Sequence, residues 1–253
     1  MDTHSLIIFL FVVAIGSYIQ TVTGFALGLV IMGAVTFLGL APVTFSAIVV
    51  SLLALVNSFL ALTRQGHTVH WSSVRIIVAG MVPAVFSGLL LLDYLSAHSM
   101  YLLKTLLGVF IICSGLLLVY KPQPRATIAS TGNFLAIGMI GGLFGGLFST
   151  GGPPIVFHLY RQPLPVAVIR TTLLAIFVVA TLLRITYVGI NGDISWSVIR
   201  LSLYSLPLVI LFTYLGRRFR PPLSDLSMRR LAFILLILLG LMLLLPSSLL
   251  GGA

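Results

Sequence analysis

Phe148-Ser149-Thr150-Gly151-Gly152-Pro153-Pro154 is a polar break, rich in glycine and proline, inside an apolar stretch. Gly141-Gly142-Leu143-Phe144-Gly145-Gly146 leads into it. A second break, Gln20-Thr21-Val22-Thr23-Gly24, interrupts apolar sequence near the start of the chain. In lipid, freed backbone N–H and C=O groups find no water. Irregular backbone survives there only where protein buries it or where it lines a wet cavity. Two such breaks in corresponding positions of two halves point to a site near the bilayer midplane.

Composition places the rest of the chain in the membrane. Mean hydropathy is +1.21. Only 7% of the 253 residues are charged, against roughly 25% in a soluble domain. Four acidic residues (Asp2, Asp93, Asp193 and Asp225) face fourteen Lys and Arg, for a net charge of +10. In a soluble protein that excess would suit nucleic acid. Here the basic residues sit in short loops between apolar runs, where the positive-inside bias puts them, so nucleic acid is not a partner. Cys113, the lone cysteine, lies in an apolar run and reads as a buried filler without disulfide or CxxC chemistry. The N-terminus has neither a basic n-region nor a small-residue cleavage site, and reads as a retained membrane segment.

Six stretches reach the roughly 20 apolar residues that a span needs: 42–63, 72–92, 100–120, 164–189, 196–216 and 229–250. Two more, 5–40 and 131–160, hold the breaks. The halves match at an offset of 125 residues, with Trp71-Ser72-Ser73-Val74-Arg75 over Trp196-Ser197-Val198-Ile199-Arg200. Lys104 falls over Arg229 and Gly115-Leu116 over Gly240-Leu241, while Pro83 and Pro207 are one residue out of register. These coincidences predict a duplicated unit.

Loop charges choose its handedness. If each broken stretch crossed the membrane once, basic residues would divide almost evenly between the two sides. If each returns to its starting side, Arg64, Arg75, Lys121, Arg125, Arg161, Arg170 and the Arg217–Arg230 cluster share one side. Lys104, Arg200 and the more buried Arg184 are left toward the other, with Asp2, Asp93 and Asp193. The second arrangement follows the positive-inside rule. The expected fold is therefore all-α and integral to the membrane, with two inverted repeats, residues 1–125 and 126–253. Each repeat is a broken or re-entrant helix pair followed by three transmembrane helices. Both termini lie outside the cytoplasm, and the two polar tips enter from opposite faces to meet near the middle.

The tips carry the candidate chemistry. Gly151 and Gly152 permit backbone angles closed to other residues, and Pro153 and Pro154 suit the first turn of a following helix. A helix N-terminus carries roughly half a positive charge and binds anions readily, and the Ser149 and Thr150 hydroxyls flank this one. A Pro/Gly packing kink is the plainer alternative. At the first break Gln20, Thr21 and Thr23 offer a carboxamide and two hydroxyls before Gly24. Gln20 can donate and accept without adding fixed charge, or serve only as an interhelical hydrogen bond. Arg184 is a functional candidate as an intramembrane arginine, or snorkels from a helix end. Arg170, at the head of Arg170-Thr171-Thr172, is a candidate or an ordinary cytoplasmic anchor. Asn57 lies deep in the corresponding first-half span. His158 reads as a packed or interfacial residue. With no Glu and no His/Cys/acid cluster, neither a metal nor a cofactor is expected, and the intramembrane chemistry favours an anion as cargo.

At these residues the chain resembles the sulfite exporter TauE/SafE family. The resemblance rests on the Gly141–Gly146 run, on Thr150-Gly151-Gly152-Pro153-Pro154, and on Arg170-Thr171-Thr172. Gln20-Thr21-Val22-Thr23-Gly24-Phe25 is similar to that family's opening motif, with a polar Gln-Thr-x-Thr run where many relatives are richer in glycine. The resemblance implies a multi-pass transporter of the bacterial inner membrane that exports sulfite or organosulfonates. The substrate-binding set is then Gln20, Thr21, Thr23, Gly24, Asn57, Ser149, Thr150, Gly151, Gly152, Pro153, Arg170 and Arg184. Its partners are a small anion and membrane lipid, with a homodimer left open. The alternatives are an anion channel of the same architecture and a non-transporting membrane scaffold. An enzyme would need a nucleophile–base or metal constellation that the sequence does not offer.

Overall fold

The computed structural model describes residues 2–23, 26–63, 68–119, 125–218 and 225–245. Among these the chain forms ten helices and no strand: α1 Thr3–Thr23, α2 Leu27–Phe37, α3 Val43–Thr63, α4 Trp71–His98, α5 Met100–Val119, α6 Thr131–Phe148, α7 Gly152–Tyr160, α8 Val166–Ile190, α9 Trp196–Arg218 and α10 Asp225–Leu244. The protein is an all-α integral membrane protein. By length and composition α1, α4, α5, α6, α8 and α9 can each cross a membrane. The six unbroken stretches became α3, α4, α5, α8, α9 and α10, while the broken ones became the pairs α1/α2 and α6/α7. Two boundaries moved clearly: α10 begins at Asp225, four residues before the expected 229, and α4 runs past the expected residue 92 to His98, where Leu92 and Leu95 keep burying the same face beyond Asp93.

The chain reverses at both breaks. In the second pair, Gly151 packs directly on the Gly141 carbonyl, and a Cβ at Gly141 would meet the Ile155 side chain. The end of α7 returns beside the start of α6. There the Arg125 N–H donates to the Arg161 carbonyl (2.8 Å), and the Ala129 N–H donates to Gln162 Oε1 (2.9 Å). His158 packs edge-on against Phe134 beside this closure (4.7 Å between ring centroids). In the first pair Gly16 faces Leu27 and Ile31. The α6 helix is long enough to span, and the end of α7 still lies back beside its start.

Small residues set how the helices meet. Helices α4 and α6 run parallel in close contact, with Ile77 against Gly138, Met81 against Gly142 and Val85 against Gly146. Glycines at this four-residue spacing let backbones approach, which is how helices associate without a hydrophobic drive between them. Helix α9 similarly meets α1, where Gly216 lies on Thr21. Further pairs are α3 with α8 and α5 with α10. Helix α4 also packs on α8 as α3 does on α9, and α10 on α2 as α5 does on α7. Three helices begin 125 residues after a counterpart: α7 after α2 (Gly152, Leu27), α9 after α4 (Trp196, Trp71) and α10 after α5 (Asp225, Met100).

The short arms sit innermost. Helix α2 is buried nearly all round, from Leu27 through Thr36, as an apolar helix without a polar face should be. Trp71 and Trp196, at the starts of α4 and α9, are exposed, which suits indoles at the membrane–water interface. Cys113 is exposed on α5, which corrects its reading as a buried filler. The hydropathy of a span does not tell its lipid face from its packed face.

Candidate functional site

Ser149 ends α6 with φ 58° and ψ 23°, the left-handed conformation, and its N–H donates to the Gly145 carbonyl (2.9 Å). Glycine is the usual residue in that geometry, because a Cβ there costs about 1–2 kcal/mol. The serine keeps a hydroxyl, which lies 2.8 Å from Ser51 Oγ on α3. Ser51 donates its own proton to the Ala47 carbonyl (2.7 Å). Ser149 is therefore the donor in the Ser149–Ser51 bond, and its lone pairs remain free.

Helix α7 opens at Gly152 with Pro153 and Pro154 in its first turn. The first four N–H groups of a helix have no intrahelical partner, but the prolines remove two of them. The backbone donors at this tip are thus confined to Gly151 and Gly152. On the other tip, Gln20 Oε1 accepts the Leu27 N–H at the start of α2 (3.1 Å). That bond orients the carboxamide and leaves its NH₂ as the free end. The two tips touch: a Cβ on Gly28 would stand 2.6 Å from Thr150 Cγ2 and 3.3 Å from the Ser149 carbonyl.

Between the tips lies a cavity of about 80 Å³, lined by Gln20, Gly28, Ala54, Ser58, Met81, Gly141, Gly145, Ser149, Thr150, Gly151, Gly152, Ile155, Leu174, Phe177, Ala180, Thr181 and Arg184. A single water needs only roughly 10–15 Å³ by such a measure, so there is room for a small hydrated or polyatomic ion. Arg184 is 2% exposed. Its Nη1 donates to the carbonyls of Gly145 (3.1 Å) and Gly146 at the end of α6, while its Nε has no partner. The Thr150 hydroxyl is also buried without one. An arginine inside a span costs up to about 2.5–3.5 kcal/mol on insertion scales, the value at a helix centre. Charged hydrogen bonds of about 1.5–3 kcal/mol each offset that cost. Helix polarity assists, since the C-terminus of α6 carries partial negative charge and the N-terminus of α7 partial positive charge. With Arg184 on the former, the latter is left for an anion. None of the described residues lining the cavity is acidic.

Of the residues singled out by sequence, Gln20, Ser149, Thr150, Gly151, Gly152 and Arg184 are brought together in this wall. Thr21 is not: its hydroxyl donates to the Ser17 carbonyl (2.9 Å), and the residue packs on Gly216. Pro153 is buried behind the lining. Asn57 is half-buried beside it, while its helix neighbours Ala54 and Ser58 reach the cavity. Arg170 is exposed and outside the lining, and its neighbours do structural work. Thr171 donates to the Thr68 carbonyl (3.0 Å), and Thr172 accepts the His70 N–H (3.0 Å). Gly24 and the Thr23 side chain lie outside the described residues. Sequence reading missed Ser51, Ser58 and Thr181. Their signal was helical spacing: Ser51 and Ser58 are seven apart, and Thr181 is three before Arg184, so each pair shares a face.

The family model for the sulfite exporter TauE/SafE family matches residues 8–243. The chain is also 41% identical over 232 residues to a protein of Cupriavidus necator described as "Probable sulfite/organosulfonate exporter TauE". That match covers 92% of this chain and 91% of the relative. No solved structure matches the chain. A match this long takes in both broken helices and the helices around them, and on that extent the chain belongs to the sulfite exporter TauE/SafE family.

Proposed function

We propose that the chain is a secondary transporter that exports a small sulfur-containing anion, sulfite or an organosulfonate, across the bacterial inner membrane. The observation that carries this reading is the convergence of unused donors on one cavity. A buried guanidinium with a free Nε and an unpartnered Thr150 hydroxyl share its wall with the Gln20 carboxamide, and none of the described lining residues is a carboxylate. Buried polar groups are ordinarily satisfied, so donors left open in a cavity suit a ligand rich in acceptor oxygens. Ser149 adds its own proton once it releases Ser51. The name of the Cupriavidus relative supports the cargo class. An inside-negative potential favours anion exit by about 2.3 kcal/mol per charge per 100 mV, so export needs no elaborate coupling.

The site lies near the midplane between two inverted repeats, residues 1–125 and 126–253. Paired helix packing, in which each broken pair lies on a helix of the other half, supports that arrangement, as do helix starts 125 residues apart. Exchange of the two halves maps α4 on α6 onto α9 on α1. Both termini then face away from the cytoplasm. Cysteines placed in 121–130 and in 217–228 should label from the same, cytoplasmic side; labelling from opposite sides would exclude the inverted arrangement.

Proteoliposome efflux across sulfite, sulfate, thiosulfate, sulfoacetate and acetate tests the function. Saturable movement of sulfite or sulfoacetate, lost in Arg184→Gln, is expected. Non-saturating flux with resolvable single-channel currents would replace the carrier with a channel, and no flux of any anion would end the reading.

A further inference from the structure

Arg184 borders a second cavity. It measures about 300 Å³ and includes Asp93, Asp193, Tyr187 and Ser195 in its lining. Asp93 belongs to the C-terminal part of α4, and Asp193 follows the turn at Gly192 (φ 77°) after α8. Two of the four acidic residues of the chain thus face one space. Among the described residues Arg184 is the one common to the linings of both cavities. It is 2% exposed, holds neutral carbonyls through Nη1, and leaves Nε unpartnered. The guanidinium is therefore a wall between an acid-free chamber and an acidic one.

Carboxylates are the stronger partners for such a group. The carbonyl bonds it makes now have charge on one side only, whereas a carboxylate adds attraction between two full charges and a bidentate fit to the guanidinium fork. An anion held against a buried guanidinium leaves slowly unless its countercharge is taken up elsewhere, because the attraction is poorly screened there. We propose that Asp93 and Asp193 are positioning residues for export, which draw the Arg184 guanidinium off the cargo and toward the second cavity as the anion leaves. This rests on the anion reading above. The move opens the wall and lowers the affinity of the inner site.

The test uses the full chain in proteoliposomes, with sulfite as the probe. In the Asp93→Asn/Asp193→Asn variant, Arg184 has no charged alternative and stays on the cargo. Sulfite affinity, read as sulfite-dependent thermal stabilisation, should hold or tighten. Efflux turnover at saturating sulfite should fall by about tenfold or more. The Asp93→Glu/Asp193→Glu variant, which keeps the charges, should recover most of that turnover. Asparagine variants that turn over within twofold of the parent overturn the proposal. So does a parallel loss of affinity and turnover, which is what a merely structural pair would give. A parent protein that neither binds nor moves sulfite or a sulfonate removes the anion reading itself, and this proposal with it.

Discussion

Ser149 offers a perturbation in which stability and transport should part company. Its φ of 58° is the one positive value at a non-glycine position among the described residues. A Cβ in that conformation costs about 1–2 kcal/mol. The hydroxyl bond to Ser51 returns about 0.5–1.5 kcal/mol, so the two terms nearly cancel in the parent. Ser149→Gly removes both and should leave stability between about 0.5 kcal/mol lower and about 1.5 kcal/mol higher. Ser149→Ala keeps the strained backbone and loses the bond, a loss of about 0.5–1.5 kcal/mol. Ser51 is not orphaned in either case, because it still donates to the Ala47 carbonyl. The difference between glycine and alanine therefore isolates the backbone cost, at about 1–2 kcal/mol. Thermal unfolding in detergent should rank glycine close to or above the parent, alanine below the parent, and glycine above alanine. Sulfite efflux should be slowed in both variants alike, since both lose the hydroxyl from the cavity wall. Equal melting temperatures for glycine and alanine would refute the strain argument. Parental flux in Ser149→Gly would show that the hydroxyl has no part in the path.

Gln20→Glu keeps an acceptor for the Leu27 N–H but replaces the free NH₂ with negative charge; the protein should fold while the KM for sulfite efflux rises by about tenfold or more, through like-charge repulsion in a poorly screened site. Gly151→Ala drives a Cβ into the Gly141 carbonyl, and overpacking of this kind costs typically about 1–3 kcal/mol; a lowered melting temperature with loss of transport is expected, and parental behaviour would mean that the α6–α7 hairpin opens freely. Arg170→Ala should leave the KM for sulfite within about twofold of the parent, because Arg170 lies outside the cavity; a large rise would place it on the substrate path.

Much of the architecture was written locally. Apolar run lengths located the helices within a few residues, because a span has to satisfy its own backbone and fill the bilayer thickness. The tips were legible for the same reason, since Ser149-Thr150-Gly151-Gly152-Pro153-Pro154 cannot continue a helix and cannot face lipid. What the sequence left unresolved was which level and which side of each helix meets protein, cavity or lipid. Arg170 and Arg184 are fourteen residues apart on α8, about four turns, so they share a face and differ only in depth. Packing against the end of α6 made Arg184 the buried one, and the start of α8 left Arg170 outside. Thr21 and Cys113 turn on the same point: neighbours decide which side of a uniformly apolar helix meets protein, cavity or lipid. Local chemistry thus determined that this chain breaks twice inside a membrane and favours an anion there. Only tertiary structure decided which donors face one another, because that depends on contacts between tips more than a hundred residues apart.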